Sequence, residues 1–156
     1  MVLYFTGTGN SRYLARRIAE GLDMPLYDLN TCIKAGDTAP VQTGQDVVLV
    51  TPTYAWRIPR VVSQWLGKTA LTGAERIWFV MDCGSEIGNA AKYNRQLAAQ
   101  KHLRYMGVQL RSSCRKTTLP CSMRRKKSRP GASWSRQSLR FRRRWRRSEL
   151  GRNFLH

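Results

Sequence analysis

The stretch Thr6-Gly7-Thr8-Gly9-Asn10-Ser11 lies between a short apolar run at 2–5 and an amphipathic helical pattern at 11–22. Its glycines let the backbone curl so that successive N–H groups point inward, and its threonines and serine add hydroxyls. The N-terminus of the following helix carries partial positive charge, which favours an anion. Because the stretch lacks the lysine of a nucleoside triphosphate site, it predicts a site for one monoester phosphate. The alternative interpretation is a plain turn with a helix cap.

Outward from this loop, short apolar runs alternate with helical patterns. The predicted strands are 2–5, 25–29, 46–51, 77–81 and 105–108, and the predicted helices are 11–22, a segment starting at Pro59, and 89–101. This alternation predicts an α/β fold with a parallel sheet covered on both faces. In such sheets ligands bind beyond the carboxyl ends of the strands. The loops 6–11, 52–58 and 82–89 are therefore expected to converge on one site.

Two further loops have side chains suited to a flat ligand. The second loop reads Pro52-Thr53-Tyr54-Ala55-Trp56-Arg57-Ile58-Pro59, and its aromatic side chains could cover a ring or simply pack on the next helix. The third loop reads Asp82-Cys83-Gly84-Ser85-Glu86-Ile87-Gly88-Asn89. Its amides could approach a ring edge, and its two carboxylates would place negative charge there. The alternative for this loop is an ordinary strand-to-helix turn.

Taken together, TGTGNS at 6–11, PTYAWRIP at 52–59 and CGSEIGNAAKYN at 83–94 resemble the flavodoxin family. More narrowly, they resemble the flavodoxin-like domains of bacterial proteins that are fused to a ferredoxin with paired iron–sulfur clusters. The resemblance covers about residues 1–108. It implies a flavodoxin-like, doubly wound parallel five-stranded sheet in the order 2-1-3-4-5, with noncovalently bound FMN.

The resemblance also implies which residues hold the cofactor. The FMN phosphate would be held by Thr6, Thr8, Asn10 and Ser11 with the amides of Gly7 and Gly9. One side of the isoalloxazine would be lined by Pro52, Thr53, Tyr54, Ala55 and Trp56, with an aromatic ring stacked on it. The other side would be bordered by Cys83, Gly84, Gly88 and Asn89, with Tyr93 from the next helix. No catalytic or metal-binding residue is implied.

The function implied by the resemblance is electron transfer between redox partner proteins such as a ferredoxin or a reductase. An FMN-dependent oxidoreductase of the quinone or porphyrinogen type is the alternative, although neither histidine lies where a catalytic acid would be needed. The sequence alone leaves open whether the chain turns over a substrate.

The sequence also predicts the cellular location of the chain. No apolar run approaches the roughly 20 residues that span a bilayer. The first residues also lack the pattern of a signal peptide. The four cysteines show no metal-binding spacing and are expected as reduced thiols. These features predict a cytoplasmic protein without a membrane span.

The charge of the chain is uneven. Residues 1–107 contain 12 basic and 8 acidic residues, whereas residues 108–156 contain 16 basic residues and one acidic residue. We therefore predict a flavodoxin-like domain at 1–108, incomplete at its C-terminal end, and an Arg-rich tail at 109–156 that is unlike the family and disordered. The final helix of the family is expected to be aberrant or missing.

Three interpretations of the tail are open: a basic arm for nucleic acid or a membrane surface, a merely solvated tail, and a reading-frame change. Residues 113–123 can be encoded so that another frame reads Met-Pro-Glu-Asn-Tyr-Ile-Ala-Met-Phe-Asp. That peptide is similar to the continuation of the ferredoxin-fused domains. We therefore favour the frame change and do not expect nucleic acid as a partner.

Overall fold

A computed structural model of the chain describes residues 1–83 and 87–111. The predictions for the tail after residue 111, namely its disorder, its frame change and the altered final helix, lie outside the described residues. So do Gly84 and Glu86 of the third loop.

Strands and helices alternate along the described residues as the pattern predicts. The strands are β1 (Val2–Tyr4), β2 (Leu26–Asp28), β3 (Val41–Gln42), β4 (Asp46–Pro52), β5 (Leu71–Thr72), β6 (Arg76–Asp82) and β7 (Arg104–Arg111). The helices are α1 (Asn10–Leu22), α2 (Leu29–Ala35), α3 (Arg60–Lys68) and α4 (Ala90–Gln100).

Five of the strands form one sheet in the order β2-β1-β4-β6-β7, and all its pairs are parallel. Numbered among themselves along the chain, these strands have the order 2-1-3-4-5, so the predicted topology is confirmed. Strand β7 continues past Val108 and stays paired with β6 as far as Arg111. The short strands β3 and β5 form a separate parallel pair. Each has only two residues, which is too short to be recognised as a strand from the sequence.

Alternating side chains divide the sheet into two faces. On one face Leu3, Leu49 and Phe79 are buried in a core to which α2, α3 and α4 contribute. On the other face lie their neighbours, such as Val48, and α1 packs against β1 and β4 there. The apolar stripe of α1 is buried, as its spacing predicts. The prediction of a parallel sheet with helices on both faces is therefore confirmed.

Helix α2 was not among the predicted elements, because only Leu29 of its seven residues is buried and it has no apolar stripe. Its N-cap is Asp28, whose Oδ1 accepts a hydrogen bond of 2.8 Å from the backbone N–H of Asn30. Its C-cap is Gly36 in the left-handed conformation, with φ of 68°. The C-cap ends the helix after two turns, and the start of the helix lies beside the end of β1, where Asn30 contacts Thr6.

None of the helices in the described ranges is long and apolar enough to cross a membrane. No cluster of three or more metal-binding side chains is found among these residues either.

Candidate functional site

The first loop leaves β1 and enters α1 with most of its length open to solvent. Gly7, Thr8, Gly9 and Asn10 are exposed, whereas Ser11 is buried at the start of α1. Gly9 is the N-cap of α1 and has φ of 95°, a conformation that favours glycine. Because glycine has no side chain, no capping side chain covers the first N–H groups of the helix at this position.

Hydrogen bonds hold the start of this loop. The N–H of Gly9 donates to Thr6 Oγ1 over 2.9 Å, which leaves the hydroxyl hydrogen of Thr6 able to donate elsewhere. The backbone N–H of Thr6 donates to Asn30 Oδ1 over 2.9 Å, and Asn30 Nδ2 donates to the Thr6 carbonyl over 2.7 Å. Asn30 comes from α2, and the loop residues alone gave no reason to expect it here.

A second contact joins β1 to the start of α2. The hydroxyl of Tyr4 donates to Asp28 Oδ2 over 2.8 Å, while the other oxygen of the same carboxylate caps α2. Burial, together with this hydrogen bond, raises the pKa of Tyr4 above its usual value. The carboxylate of Asp28 therefore fixes both the end of β1 and the helix that carries Asn30.

The second loop contains a tight turn. Tyr54 and Arg57 exchange two backbone hydrogen bonds, of 2.9 and 3.1 Å, across Ala55 and Trp56. Ala55 and Trp56 have φ of 49° and 59°, so the turn is of type I′, which usually contains Asn and Gly. An alanine or tryptophan in this conformation costs about 1–2 kcal/mol.

This strained turn presents its aromatic side chains to solvent. Tyr54 is 52% exposed and Trp56 is 62% exposed, far above the exposure of the core aromatics. Strain of this kind is stored where a structure needs a particular side-chain direction, most often at binding sites. The prediction that these rings simply pack on the neighbouring helix does not account for their exposure.

The three loops converge at the carboxyl edge of the sheet. A Cβ placed on Gly7 would lie 2.7 Å from Tyr54 Oη, so the first loop touches the second. A Cβ placed on Gly88 would lie 2.9 Å from Trp56 Cδ1, so the second loop touches the third. A side chain at Gly88 would displace the Trp56 ring from its base, and a side chain at Gly7 would displace the hydroxyl end of Tyr54.

Backbone and aromatic contacts complete the junction of the second and third loops. The N–H of Thr53 donates to the carbonyl of Asp82 over 2.8 Å. The guanidinium of Arg57 lies 3.6 Å from the ring centroid of Tyr93 and also donates to its hydroxyl over 2.6 Å. One face of the Tyr93 ring is thus covered by an arginine to which sequence analysis gives no role.

A cavity of about 920 Å³ extends from the turn along α3 and α4. Its lining consists of Tyr54, Ala55, Trp56, Arg57, Ile58, Arg60, Ser63, Tyr93, Asn94, Gln96, Leu97 and Gln100. Asn94 is fully buried and donates from Nδ2 to Met81 Sδ over 3.3 Å. Tyr54, Trp56 and Tyr93 thus border the same open space.

Polar atoms at the strand ends indicate what the site could hold. Thr53 Oγ1 and Asp82 Oδ1 are buried at the ends of β4 and β6 and have no hydrogen-bond partner among the described residues. Leaving such groups unsatisfied is costly, so they favour a ligand with polar atoms of its own. The pyrimidine edge of a flavin has N–H and C=O groups, and the glycines of the first loop leave room for a phosphate. The residues present therefore fit FMN.

The remaining predicted residues lie around the same edge. Pro52 is the last residue of β4, and Cys83 directly follows β6. Asn89 is the N-cap of α4, with no capping bond from its side chain. The structure therefore brings together the predicted residues of all three loops, except Gly84, which lies outside the described residues.

Comparison with known families bears directly on this geometry. A family model described as a flavodoxin domain matches residues 1–120. The chain belongs to the flavodoxin domain family. The match passes Val108, where we placed the end of the resemblance, and it also includes the whole of β7.

Solved structures share the fold at low sequence identity. A candidate flavoprotein from Bacteroides uniformis is 17% identical, with a TM-score of 0.56 over 72% of this chain and 89% of that one. A candidate flavoprotein from Bacteroides eggerthii is 17% identical, with a TM-score of 0.53 over 70% and 85% of the two chains. The two-electron reduced flavodoxin of Megasphaera elsdenii is 16% identical, with a TM-score of 0.52 over 70% and 82%. Among curated proteins, no sequence matches the chain.

These findings confirm the predicted fold and family, and with the family its cofactor, since flavodoxin domains are FMN-binding domains. The fusion to a ferredoxin and the roles of individual residues stay predictions.

Proposed function

We propose that this chain binds FMN noncovalently at the carboxyl edge of its sheet and transfers electrons between redox partner proteins. The observation that carries the proposal is the convergence of the three loops, where Gly7 meets Tyr54 and Gly88 meets Trp56. Each of the two glycines would clash with an aromatic side chain if it had a Cβ. Cofactor sites are concave and lined mostly by apolar and aromatic side chains, and these contacts place the two aromatic rings of the second loop beside the other two loops.

The first loop would hold the phosphate of FMN. Thr6 and Thr8 offer hydroxyl donors, and the N-terminus of α1 offers N–H groups and partial positive charge. The loop has no cation, so the charge of the phosphate would be balanced by these dipoles. This arrangement suits a monoester phosphate better than a triphosphate with its metal ion.

The second and third loops would hold the isoalloxazine. The exposed rings of Tyr54 and Trp56 supply flat apolar surface, and the unpartnered Thr53 Oγ1 and Asp82 Oδ1 supply polar contacts. Bound FMN would supply the redox chemistry, and the protein would set its potential. A buried carboxylate at Asp82 disfavours added negative charge nearby and so lowers the flavin's reduction potential.

Electron transfer is proposed over substrate turnover because neither histidine of the chain belongs to the described part of the site. His102 lies beyond the C-terminal end of α4, at the edge of the sheet opposite the site. The partners would be a ferredoxin or a reductase. A cytoplasmic location goes with this proposal, since Cys32 is a thiol and thiols persist in reducing compartments.

Titration of the purified full chain with FMN tests the proposal. We expect the flavin fluorescence to be quenched on binding, because aromatic side chains would lie against the ring. Gly7→Val should raise the Kd for FMN by about tenfold or more, which corresponds to about 1.4 kcal/mol. Gly67→Ala is the matched control, since a Cβ at Gly67 meets no atom within 4 Å and its binding should be unchanged.

Two results would contradict the proposal: absence of FMN binding by the wild-type chain, or equal FMN affinity in the wild type and Gly7→Val. Steady-state assays with a nicotinamide cofactor and a quinone separate the two functions. Rapid multiple turnover without a protein partner would favour the oxidoreductase. Flavin reduction that depends on a reductase protein would support electron transfer.

A further inference from the structure

We propose that Asn30 is a positioning residue for the phosphate-binding loop and so sets the preference of this site for a phosphorylated flavin. Asn30 lies in α2, outside the three loops that carry the site. The inference rests on the proposed function, because it concerns how the same site holds FMN.

The contact between Asn30 and the loop has the form of a backbone pairing. Thr6 lies two residues beyond the end of β1, and its N–H and C=O bond to a side chain and not to the backbone of a neighbouring strand. The side-chain amide of Asn30 bonds both groups, accepting from the N–H over 2.9 Å and donating to the C=O over 2.7 Å. A carboxamide has the same donor and acceptor as a peptide group, so it can take the place of a neighbouring strand.

The effect of these bonds passes from Thr6 to the rest of the loop. Thr6 Oγ1 accepts the N–H of Gly9, the N-cap of α1. The orientation of Thr6 therefore determines where the loop backbone meets the helix N-terminus. Both side-chain hydrogen bonds of Asn30 to this loop go to the backbone of Thr6, so Asn30 acts on the loop through Thr6.

Asn30 is itself held in place. Its backbone N–H donates to Asp28 Oδ1 over 2.8 Å, and Asp28 Oδ2 accepts from the Tyr4 hydroxyl over 2.8 Å. Tyr4 is the last residue of β1 and is 4% exposed. A chain of hydrogen bonds thus runs from the buried strand through Asp28 and Asn30 to the loop, which preorganises the loop before a ligand arrives.

The test compares FMN with riboflavin, which has the same ring but no phosphate. Asn30→Ala should raise the Kd for FMN by about tenfold, as expected for the loss of one or two hydrogen bonds. It should change the Kd for riboflavin less than about twofold, because riboflavin does not use the loop. The control is Thr31→Ala on the exposed side of the same helix, which should leave both affinities unchanged.

A second variant guards against a simple loss of structure. Asn30→Asp keeps an oxygen that can accept the N–H of Thr6 but faces the Thr6 carbonyl with a carboxylate and adds negative charge near the phosphate. We expect it to weaken FMN binding more than Asn30→Ala does and to leave riboflavin binding unchanged. Thermal unfolding of each apoprotein shows whether the variants remain folded.

The outcomes separate this inference from the function on which it rests. If the wild type binds FMN and Asn30→Ala keeps the same ratio of FMN to riboflavin affinity, the positioning role is wrong while the function stands. A parallel loss of both affinities would also overturn it, since it would show a merely structural role. If the wild-type chain binds neither flavin, the function fails and the role of Asn30 fails with it.

Discussion

Ala55→Gly should not destabilise the protein and should stabilise it slightly, against the usual direction of an alanine-to-glycine change. Ala55 has φ of 49° and is exposed, so the substitution relieves backbone strain and removes little buried surface. Relief of the left-handed conformation gains about 1–2 kcal/mol. The greater freedom of glycine in the unfolded chain opposes this by about 0.4–1 kcal/mol. The net expectation is a stabilisation of roughly 0–1.5 kcal/mol.

The matched control makes the same chemical change in a helix. Ala99→Gly, on the exposed side of α4, should destabilise the protein by about 0.5–1 kcal/mol. The assay is urea unfolding followed by circular dichroism, with the two variants and the wild type measured in parallel. Equal destabilisation by the two substitutions would refute the reasoning, because Ala55 would then not be held at positive φ.

Two further predictions concern side-chain contacts. The hydrogen bond to Cys32, together with burial, raises the pKa of Tyr27 from 10.0 to about 12. Because the folded state therefore favours the protonated phenol, this hydrogen bond stabilises the fold fully below pH 10, and the stabilisation is lost as the pH rises through 12. Tyr27→Phe should lack this loss, and identical alkaline unfolding profiles of the variant and the wild type would contradict the assignment. Arg57→Ala should cost about 0.5–1 kcal/mol through its stacking on Tyr93. Arg60→Ala, also exposed, is the control, and equal effects in urea unfolding would argue against the Tyr93 contact.

Much of the fold can be predicted from the sequence because its signals are local. The runs at 46–51 and 77–81 are buried on both faces, so they are continuously apolar and easy to recognise as strands. The stripe of α1 has helical spacing for the same reason. The glycines at 7 and 9 mark the turn between strand and helix, and this turn places the site at the carboxyl edge.

The features that the sequence does not reveal depend on contacts between distant segments. Asn30 reaches Thr6 across 24 positions of the chain, and no local pattern announces a carboxamide that pairs with a backbone. From the sequence, Arg57 in the second loop would be interpreted as a solvated charge, whereas in the structure its guanidinium stacks on the Tyr93 ring. Ala55 and Trp56 have no propensity for a type I′ turn, so their strain becomes visible only in the structure. The surrounding fold imposes each of these.

The all-parallel sheet has a consequence for how the chain folds as it is synthesised. Strand β1 lies between β2 and β4, with Leu3 paired to both Tyr27 and Leu49. No hairpin can form this pairing, because parallel neighbours must be joined through a crossover. One side of β1 therefore has no partner until β4 has left the ribosome, and each further strand closes another long loop. Such non-local pairing slows folding. During synthesis β1 therefore has an unpaired edge, on the side that later pairs with β4, until the central strands have been translated.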